Sequence, residues 1–308
     1  MVNKSPNNQL KKIIFITGPT AIGKSENAIY LAQKINGEII NADSRQVYKY
    51  LNIGSGKLSK QELKIVPHHL IDVASPRKNY SLGQWLKAAE AAVKKIMQKN
   101  KIPIFCGGTI LYLKALKEGW LLPAVKPNYN LRKKLSQLSS EDLYKKLQQL
   151  DKLRAKTIDR HNKKRLIRAL EIIYVLGKVP PLIKKPKYQI LILCPQIDKK
   201  NLFHKIEIRL KQRLPFIIKE VKKLKTLGLS FKRIINFGLE YRWFGLYVSN
   251  QNKNNIYADT NFIYNRCLQD IKNFAKRQIK ELNKIPEVYY FKNKRDLYVI
   301  SKKFIENL

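Results

Sequence analysis

Lys12-Ile13-Ile14-Phe15-Ile16-Thr17-Gly18-Pro19-Thr20-Ala21-Ile22-Gly23-Lys24-Ser25 opens the chain's regular structure. An unbroken apolar, β-branched run stops at a glycine-rich loop, the pattern of a strand buried on both faces of a parallel sheet. From Ser25 to Ile35 the apolar residues Ala28, Ile29, Leu31, Ala32 and Ile35 fall on one stripe, which predicts an amphipathic helix that Gly37 ends. Gly18 to Ser25 fits G-x-x-x-x-G-K-[ST] in the strand–loop–helix slot that gives the string its meaning. Glycines let successive N–H groups curl around an oxyanion, and the helix N-terminus adds a favourable dipole. Lys24 reaches terminal phosphate oxygens, and the Ser25 hydroxyl is a ligand for Mg²⁺. The phosphate site therefore comprises Gly18, Pro19, Thr20, Ala21, Ile22, Gly23, Lys24 and Ser25. It calls for a diphosphate or triphosphate and leaves the reaction open.

Outward from this unit the texture repeats. Glu38-Ile39-Ile40-Asn41-Ala42 predicts a second strand with Asp43 at its carboxyl end. A helix over 82–99 leads to a strand at Ile102–Cys106, stopped by Gly107-Gly108, and Tyr188–Cys194 reads as a further strand. Strands alternating with helices predict an α/β fold, a P-loop NTPase-like parallel sheet flanked by helices with right-handed crossovers. Between Gly119 and Pro186 the chain turns Lys- and Leu-rich and helical, bounded by Pro123, Pro127 and Pro180-Pro181. The expected division is a core over 1–118, a small helical insertion domain over 119–186, the second part of the core over 187–282, and an unassigned tail over 283–308.

The 308 residues carry 62 Lys+Arg against 22 Asp+Glu, a formal charge of +40. Such a surface attracts polyanions, nucleic acid first. A bias toward Lys, Ile and Asn across a genome would produce the same excess, so charge supports this partner without founding it. Cys106, Cys194 and Cys267 are too scattered for a disulfide framework or a zinc finger, which fits a reducing cytoplasm. The segment from Met1 to Pro6 lacks the form of a signal peptide, and no apolar run is long enough to span a bilayer, so no membrane association is expected.

In a βαβ unit the loops after the strands open on one edge, where ligands bind. Asp43 is therefore expected to face the phosphates held by Lys24. On position alone it suits a general base, a partner for Mg²⁺-bound water, or an N-cap. Thr109, after the glycine pair, suits a helix N-cap equally well. His68 and His69 are adjacent with no third ligand nearby, which favours structural roles. Tyr241, Trp243, Phe244 and Tyr247 read as core aromatics.

Asn41-Ala42-Asp43-Ser44-Arg45-Gln46-Val47-Tyr48, taken with the glycine loop, resembles the tRNA dimethylallyltransferases (tRNA isopentenyltransferases). The likeness continues in order through Pro67-His68-His69-Leu70-Ile71-Asp72, Cys106-Gly107-Gly108-Thr109-x-Leu111-Tyr112, Arg165-x-x-Arg168-Ala169-Leu170-Glu171, Gly238-Leu239-Glu240-Tyr241-Arg242 and Phe274-Ala275-Lys276-Arg277-Gln278. The resemblance implies transfer of a dimethylallyl group from dimethylallyl diphosphate to N6 of the adenosine 3′-adjacent to the tRNA anticodon. It implies Asp43 as the base at N6. It places Lys24, Thr20, Thr109, Arg242 and a Mg²⁺ on Ser25 around the departing diphosphate. A flipped-out adenosine is implied, with Asp43, Ser44, Arg45, Gln46 and Thr109 near the anticodon loop and Arg132, Lys164, Arg165, Leu166, Ile167 and Arg168 near the stem-loop. A monomer of bacterial type, without a zinc-finger extension, is expected.

The family's R-Q-x-T-W-F-R ending stands here as Arg277-Gln278-Ile279-Lys280-Glu281-Leu282-Asn283, which puts this stretch's tRNA contacts in question. A P-loop small-molecule kinase or an adenylate isopentenyltransferase would share the phosphate site, but would not need the basic insertion. A non-catalytic RNA-binding protein would not need Lys24, Asp43 and Thr109 together.

Overall fold

The computed structural model of the chain describes residues 10–306; the segment from Met1 to Pro6 lies outside them. Two compact units are formed, one by 1–117 with 187–308 and the other by Glu118–Pro186.

The larger unit begins with β1 (Lys11–Ile16), α1 (Lys24–Lys34), β2 (Gly37–Asn41), a single turn α2 (Glu62–Ile65), β3 (His68–His69), α3 (Leu82–Gln98), β4 (Ile102–Cys106) and α4 (Ile110–Lys117). Burial on both faces explains why β1 is apolar from Ile13 to Ile16. Ile14 and Ile16 pack with Ile104, Leu193 and the buried stripe Ala28, Leu31 and Ala32 of α1. On the other face Phe15 stacks on Phe105 at 5.5 Å, Trp85 of α3 stacks on Tyr112 at 4.1 Å, and the Trp85 indole donates to Asn41 O at 3.0 Å. Phe15 and Trp85 are fully buried, each contributing about 1.5–3 kcal/mol from apolar surface withdrawn from water. Ser81 and Gln84 form a capping box that starts α3.

The smaller unit holds β5 (Trp120–Leu121), α5 (Tyr129–Leu135), α6 (Ser140–Leu150), α7 (Lys152–Thr157), α8 (Lys163–Leu176) and β6 (Ile183–Lys184). β5 and β6 pair antiparallel. Leu135, Leu143, Leu147, Ala155, Leu166, Ala169 and Leu170 form a core of its own.

The larger unit resumes with β7 (Tyr188–Pro195), α9 (Lys199–Thr226), α10 (Phe231–Ile235), α11 (Leu239–Asn250), α12 (Thr260–Leu282), β8 (Val288–Phe291) and α13 (Lys294–Glu306). The sheet has six strands in the order β3-β2-β4-β1-β7-β8, every pairing parallel. Its carboxyl edge brings together the loops after β1, β2 and β4. Two strands come from segments without an assigned strand in the sequence. β3 is two residues long, and β8 lies in the tail, where Val288–Phe291 completes the sheet beside β7. Among the described residues no helix is long and apolar enough to cross a membrane.

Candidate functional site: a phosphate and carboxylate cavity

A cavity of about 240 Å³ opens at the carboxyl edge, and its walls include Thr20, Ala21, Gly23, Lys24, Ser25, Asn41, Asp43 and Gln46. Gly107 makes this junction possible. A Cβ there would stand 2.2 Å from the backbone of Ala42, so the ends of β2 and β4 close together only with glycine in place.

Asp43 is held by its own turn. Oδ1 accepts the N–H groups of Arg45 at 2.7 Å and Gln46 at 3.3 Å, an Asx-turn geometry. Asn41 fixes the preceding backbone by accepting from Asp43 N at 3.1 Å. Oδ2 makes no hydrogen bond among the described residues and is left to the cavity. Lys24 donates to Pro19 O at 2.7 Å, curling the glycine loop around its ammonium group. Burial lowers the Lys24 pKa, against which Cys106 and Asp43 act in the raising direction. Burial also pushes the Cys106 thiol up to about 11, and Ser25 hydrogen-bonds to it. This sulfur is a neutral wall rather than a nucleophile.

Thr109 is expected beside the departing diphosphate. It is not among the cavity's walls, and its hydroxyl accepts the Ser44 N–H at 3.0 Å. It thus ties the Asp43 turn to the end of β4. Gln278, from the stretch where the family ending is altered, supports the glycine loop. Its Oε1 accepts Thr20 N at 2.9 Å and its Nε2 donates to Gly108 O at 2.9 Å.

Arg242 is expected beside the departing diphosphate as well. Its side chain is half exposed, pairs with Asp270 at 3.6 Å, and is not among the cavity's walls. The arginines on the wall are Arg209 and Arg213 of α9. A Cβ on Gly56 would lie 2.1 Å from Arg209 Nη2 and 2.9 Å from Arg213 Nη1. Gly56, at φ +65°, thus lets both guanidinium groups lie against the loop. That loop is held by Glu220, which accepts from Asn52 N, Ile53 N and Gly54 N at 2.9, 2.8 and 3.2 Å and from the Tyr241 hydroxyl at 2.6 Å. Burial draws Arg213 down to about 10, so it stays cationic at neutral pH, and its Nη1 is buried without a hydrogen-bond partner. A desolvated cation with an unused donor is costly unless an anion completes it.

Gln46 lines the cavity and donates to Ser55 O and Gly56 O at 3.3 Å each; Gly18, Pro19, Ile22, Ser44 and Arg45 are not among its walls. His69 has the structural role expected, bonding at 2.8 Å to buried Glu38, which Lys99 and Lys101 also reach. His68 differs in lining the cavity while its Nδ1 bonds to Val66 O at 2.8 Å. Tyr241 and Phe244 are core residues, whereas Trp243 is half-buried and donates to Asp270 at 2.8 Å.

In the smaller unit the basic residues of α5 and α8 divide by function. Arg132 donates to the fully buried Glu171 through Nε at 2.9 Å and Nη2 at 2.7 Å, and Arg168 pairs with the same carboxylate. The Arg132 and Arg168 guanidinium groups therefore serve this unit's own fold. Leu166 is fully buried and Ile167 packs on the same core, which removes the Leu166 side chain from any partner. Lys164 and Arg165 are exposed.

No group of three or more His, Cys, Asp or Glu able to hold a metal occurs among the described residues. Ser25 and Asp43 do place hard oxygen donors on one cavity, a set that suits Mg²⁺ shared with phosphate oxygens and water.

The IPP transferase family model matches residues 46–284. A tRNA dimethylallyltransferase from Alkaliphilus metalliredigens is 34% identical over 291 residues, 91% of each chain. One from Carboxydothermus hydrogenoformans is 34% identical over 307 residues, 96% of each chain. The crystal structure of the full-length tRNA isopentenylpyrophosphate transferase from Bacillus halodurans superposes with TM-score 0.70 and 26% identity, covering 96% of this chain and 97% of that one. A eukaryotic dimethylallyltransferase acting on tRNA superposes with TM-score 0.81 and 25% identity, covering 96% and 80%.

Proposed function

The chain belongs to the tRNA dimethylallyltransferase (IPP transferase) family, and from that premise we propose how its cavity works. The enzyme transfers a dimethylallyl group to N6 of the adenosine next to the tRNA anticodon, with dimethylallyl diphosphate as donor. One observation carries the reading: Asp43 with its uncommitted Oδ2, the glycine-loop Lys24 and the incomplete Arg213 guanidinium share one cavity.

An adenine amine is a weak nucleophile because its lone pair is delocalised into the ring, so help is needed at both ends. The flipped-out base presents N6 to Asp43. As the N6 lone pair forms the bond to allylic C1, the C1–O bond breaks and its electrons leave with the diphosphate. Asp43 Oδ2 takes the N6 proton. Lys24, the Thr20 and Ala21 segment and the two arginines stabilise the charge that builds on the departing group. Mg²⁺, held through Ser25, supplies further charge neutralisation on the phosphate oxygens when bound. Thr109 acts through the Asp43 turn. The exposed Lys164 and Arg165, with Ser44, Arg45 and Gln46, take the RNA. The enzyme works as a monomer in the cytoplasm.

The test combines purified protein, Mg²⁺, dimethylallyl diphosphate and an anticodon stem-loop, with free AMP as a parallel acceptor. The expected result is a mass gain of one dimethylallyl group on the target adenosine of the RNA and none on AMP. Transfer to AMP alone would overturn the reading.

A further inference from the structure

Behind the arginine pair lies a second, smaller space. Its walls are Thr20 and Ala21 of the glycine loop, Arg209 and Arg213 of α9, Glu240 of α11, and the apolar side chains Ile206, Leu210, Ile217 and Ile271. Its volume is about 10 Å³, close to the least that holds one water molecule. Arg209 and Arg213 thus border two chambers, the catalytic cavity in front and this one behind.

Among the described residues Glu240 is the one carboxylate that lines the rear chamber. Neither arginine forms an ion pair with it, or with any other carboxylate, among the described residues. Each feels it electrostatically, since Glu240 acts to raise the pKa of Arg209 and Arg213 against burial, while burial raises the Glu240 pKa and the two arginines act to lower it. The local backbone is committed to this placement. Gly238 has φ +79° and Leu239 has φ +44°, a region that costs a branched residue energy unless its surroundings demand it. The turn puts Glu240 in the first turn of α11, where a helix N-terminus favours negative charge.

We infer that Glu240 is a positioning residue that aims the Arg209 and Arg213 guanidinium groups at the phosphate cradle from behind, through a single bridging water. A direct ion pair would occupy the donors that the leaving group needs. A carboxylate set back by one water balances the two buried cations and leaves their front-facing donors available, which accounts for the unpartnered Arg213 Nη1. The inference rests on the cavity being a diphosphate site.

Inorganic diphosphate binding by calorimetry, with the full chain and Mg²⁺, provides the test. Glu240→Leu is expected to weaken diphosphate binding about tenfold or more, the scale of a lost hydrogen bond to a charged group. RNA binding should stay within about twofold, because Glu240 lines the rear chamber and is not one of the side chains assigned to the RNA. Glu240→Gln, which keeps the shape and the water contacts, should lose less. The decisive arm repeats Glu240→Leu in an Arg209→Leu/Arg213→Leu background. There its effect on diphosphate should vanish, which a general loss of structure would not do. Equal weakening in both backgrounds, or no weakening in either, overturns the role of Glu240. Failure of the unaltered protein to bind diphosphate overturns the site reading itself.

Discussion

The backbone N–H of Thr20 donates to Gln278 Oε1 at 2.9 Å, joining the glycine loop to a helix 258 residues later in the chain. The same side chain donates through Nε2 to Gly108 O at 2.9 Å. Gln278 therefore fixes the distance between the phosphate cradle and the end of β4, from which Thr109 holds the Asp43 turn. Gln278→Leu leaves part-buried Thr20 N and buried Gly108 O without this partner and should cost about 2 kcal/mol of stability. It should also raise the KM for the allyl diphosphate about tenfold or more, because the loop N–H groups no longer converge. Gln278→Glu keeps the acceptor for Thr20 but sets an oxygen against Gly108 O, and should be no better. Thermal melts and initial rates check both.

Lys24 should set an alkaline limit on activity. Burial lowers its pKa from the ordinary 10.5, so its charge is present below the lowered value and disappears as pH rises through it. The kcat/KM for allyl diphosphate, which reports groups of the free enzyme, should fall on an alkaline limb below 10.5. Lys24→Arg should move that limb upward, and Lys24→Met should cost on the order of a hundredfold at neutral pH. An alkaline limb that stays in place with arginine would assign the limit to another group.

Glu38 should make the fold acid-sensitive. Burial alone would raise its pKa, but the bonds from His69, Lys101 and Lys99 prevail and hold it at about 2, below the ordinary 4.5. A carboxylate depressed on folding stabilises fully above 4.5, and that contribution disappears as pH falls from there toward 2. Glu38→Gln should lower stability at neutral pH by about 3 kcal/mol, as expected for breaking a buried pair. It should also flatten the pH dependence between 4.5 and 2, read from denaturant melts across that range.

The two kinds of arginine on the smaller unit should separate cleanly. Arg165→Glu, at an exposed position, should weaken RNA binding and reduce its salt slope by about 1, without changing the melting temperature. Arg132→Ala and Arg168→Ala strip partners from buried Glu171, and each should cost about 2 kcal/mol or more of folding stability. Filter binding at several salt concentrations, alongside thermal melts, distinguishes the two behaviours.

The parts of this fold that could be read from sequence are those where local pattern and tertiary role coincide. β1 is apolar on both faces because both are buried, and the glycine loop must follow it, so Ile13 to Ser25 are explicit. β3 escaped because two residues, His68 and His69, carry no periodicity. β8 escaped because Tyr289 and Tyr290 are exposed beside a short apolar pair. Arg209 and Arg213 were hidden in a helix of 28 residues crowded with lysine. A signal was present nonetheless. They are the only arginines of that helix, one turn apart, on the stripe shared with Ile206, Leu210 and Ile217. Cations on a buried stripe need an anionic partner. Arg242, inside a recognised block, drew attention instead, although its side chain points to Asp270. Sequence spacing could not show which of two arginine-bearing helices faces the sheet edge.

The most direct measurement is single-turnover transfer from dimethylallyl diphosphate to the stem-loop by the unaltered protein and by Asp43→Asn. Asparagine keeps an Oδ1 to accept from Arg45 and Gln46, so the turn survives and only the basic oxygen is lost. The predicted result is a rate lower by roughly 10²–10⁴, with RNA and diphosphate affinities within a few-fold of the original. Transfer by Asp43→Asn at the original rate would contradict the account, because the proton on N6 would then leave without the carboxylate.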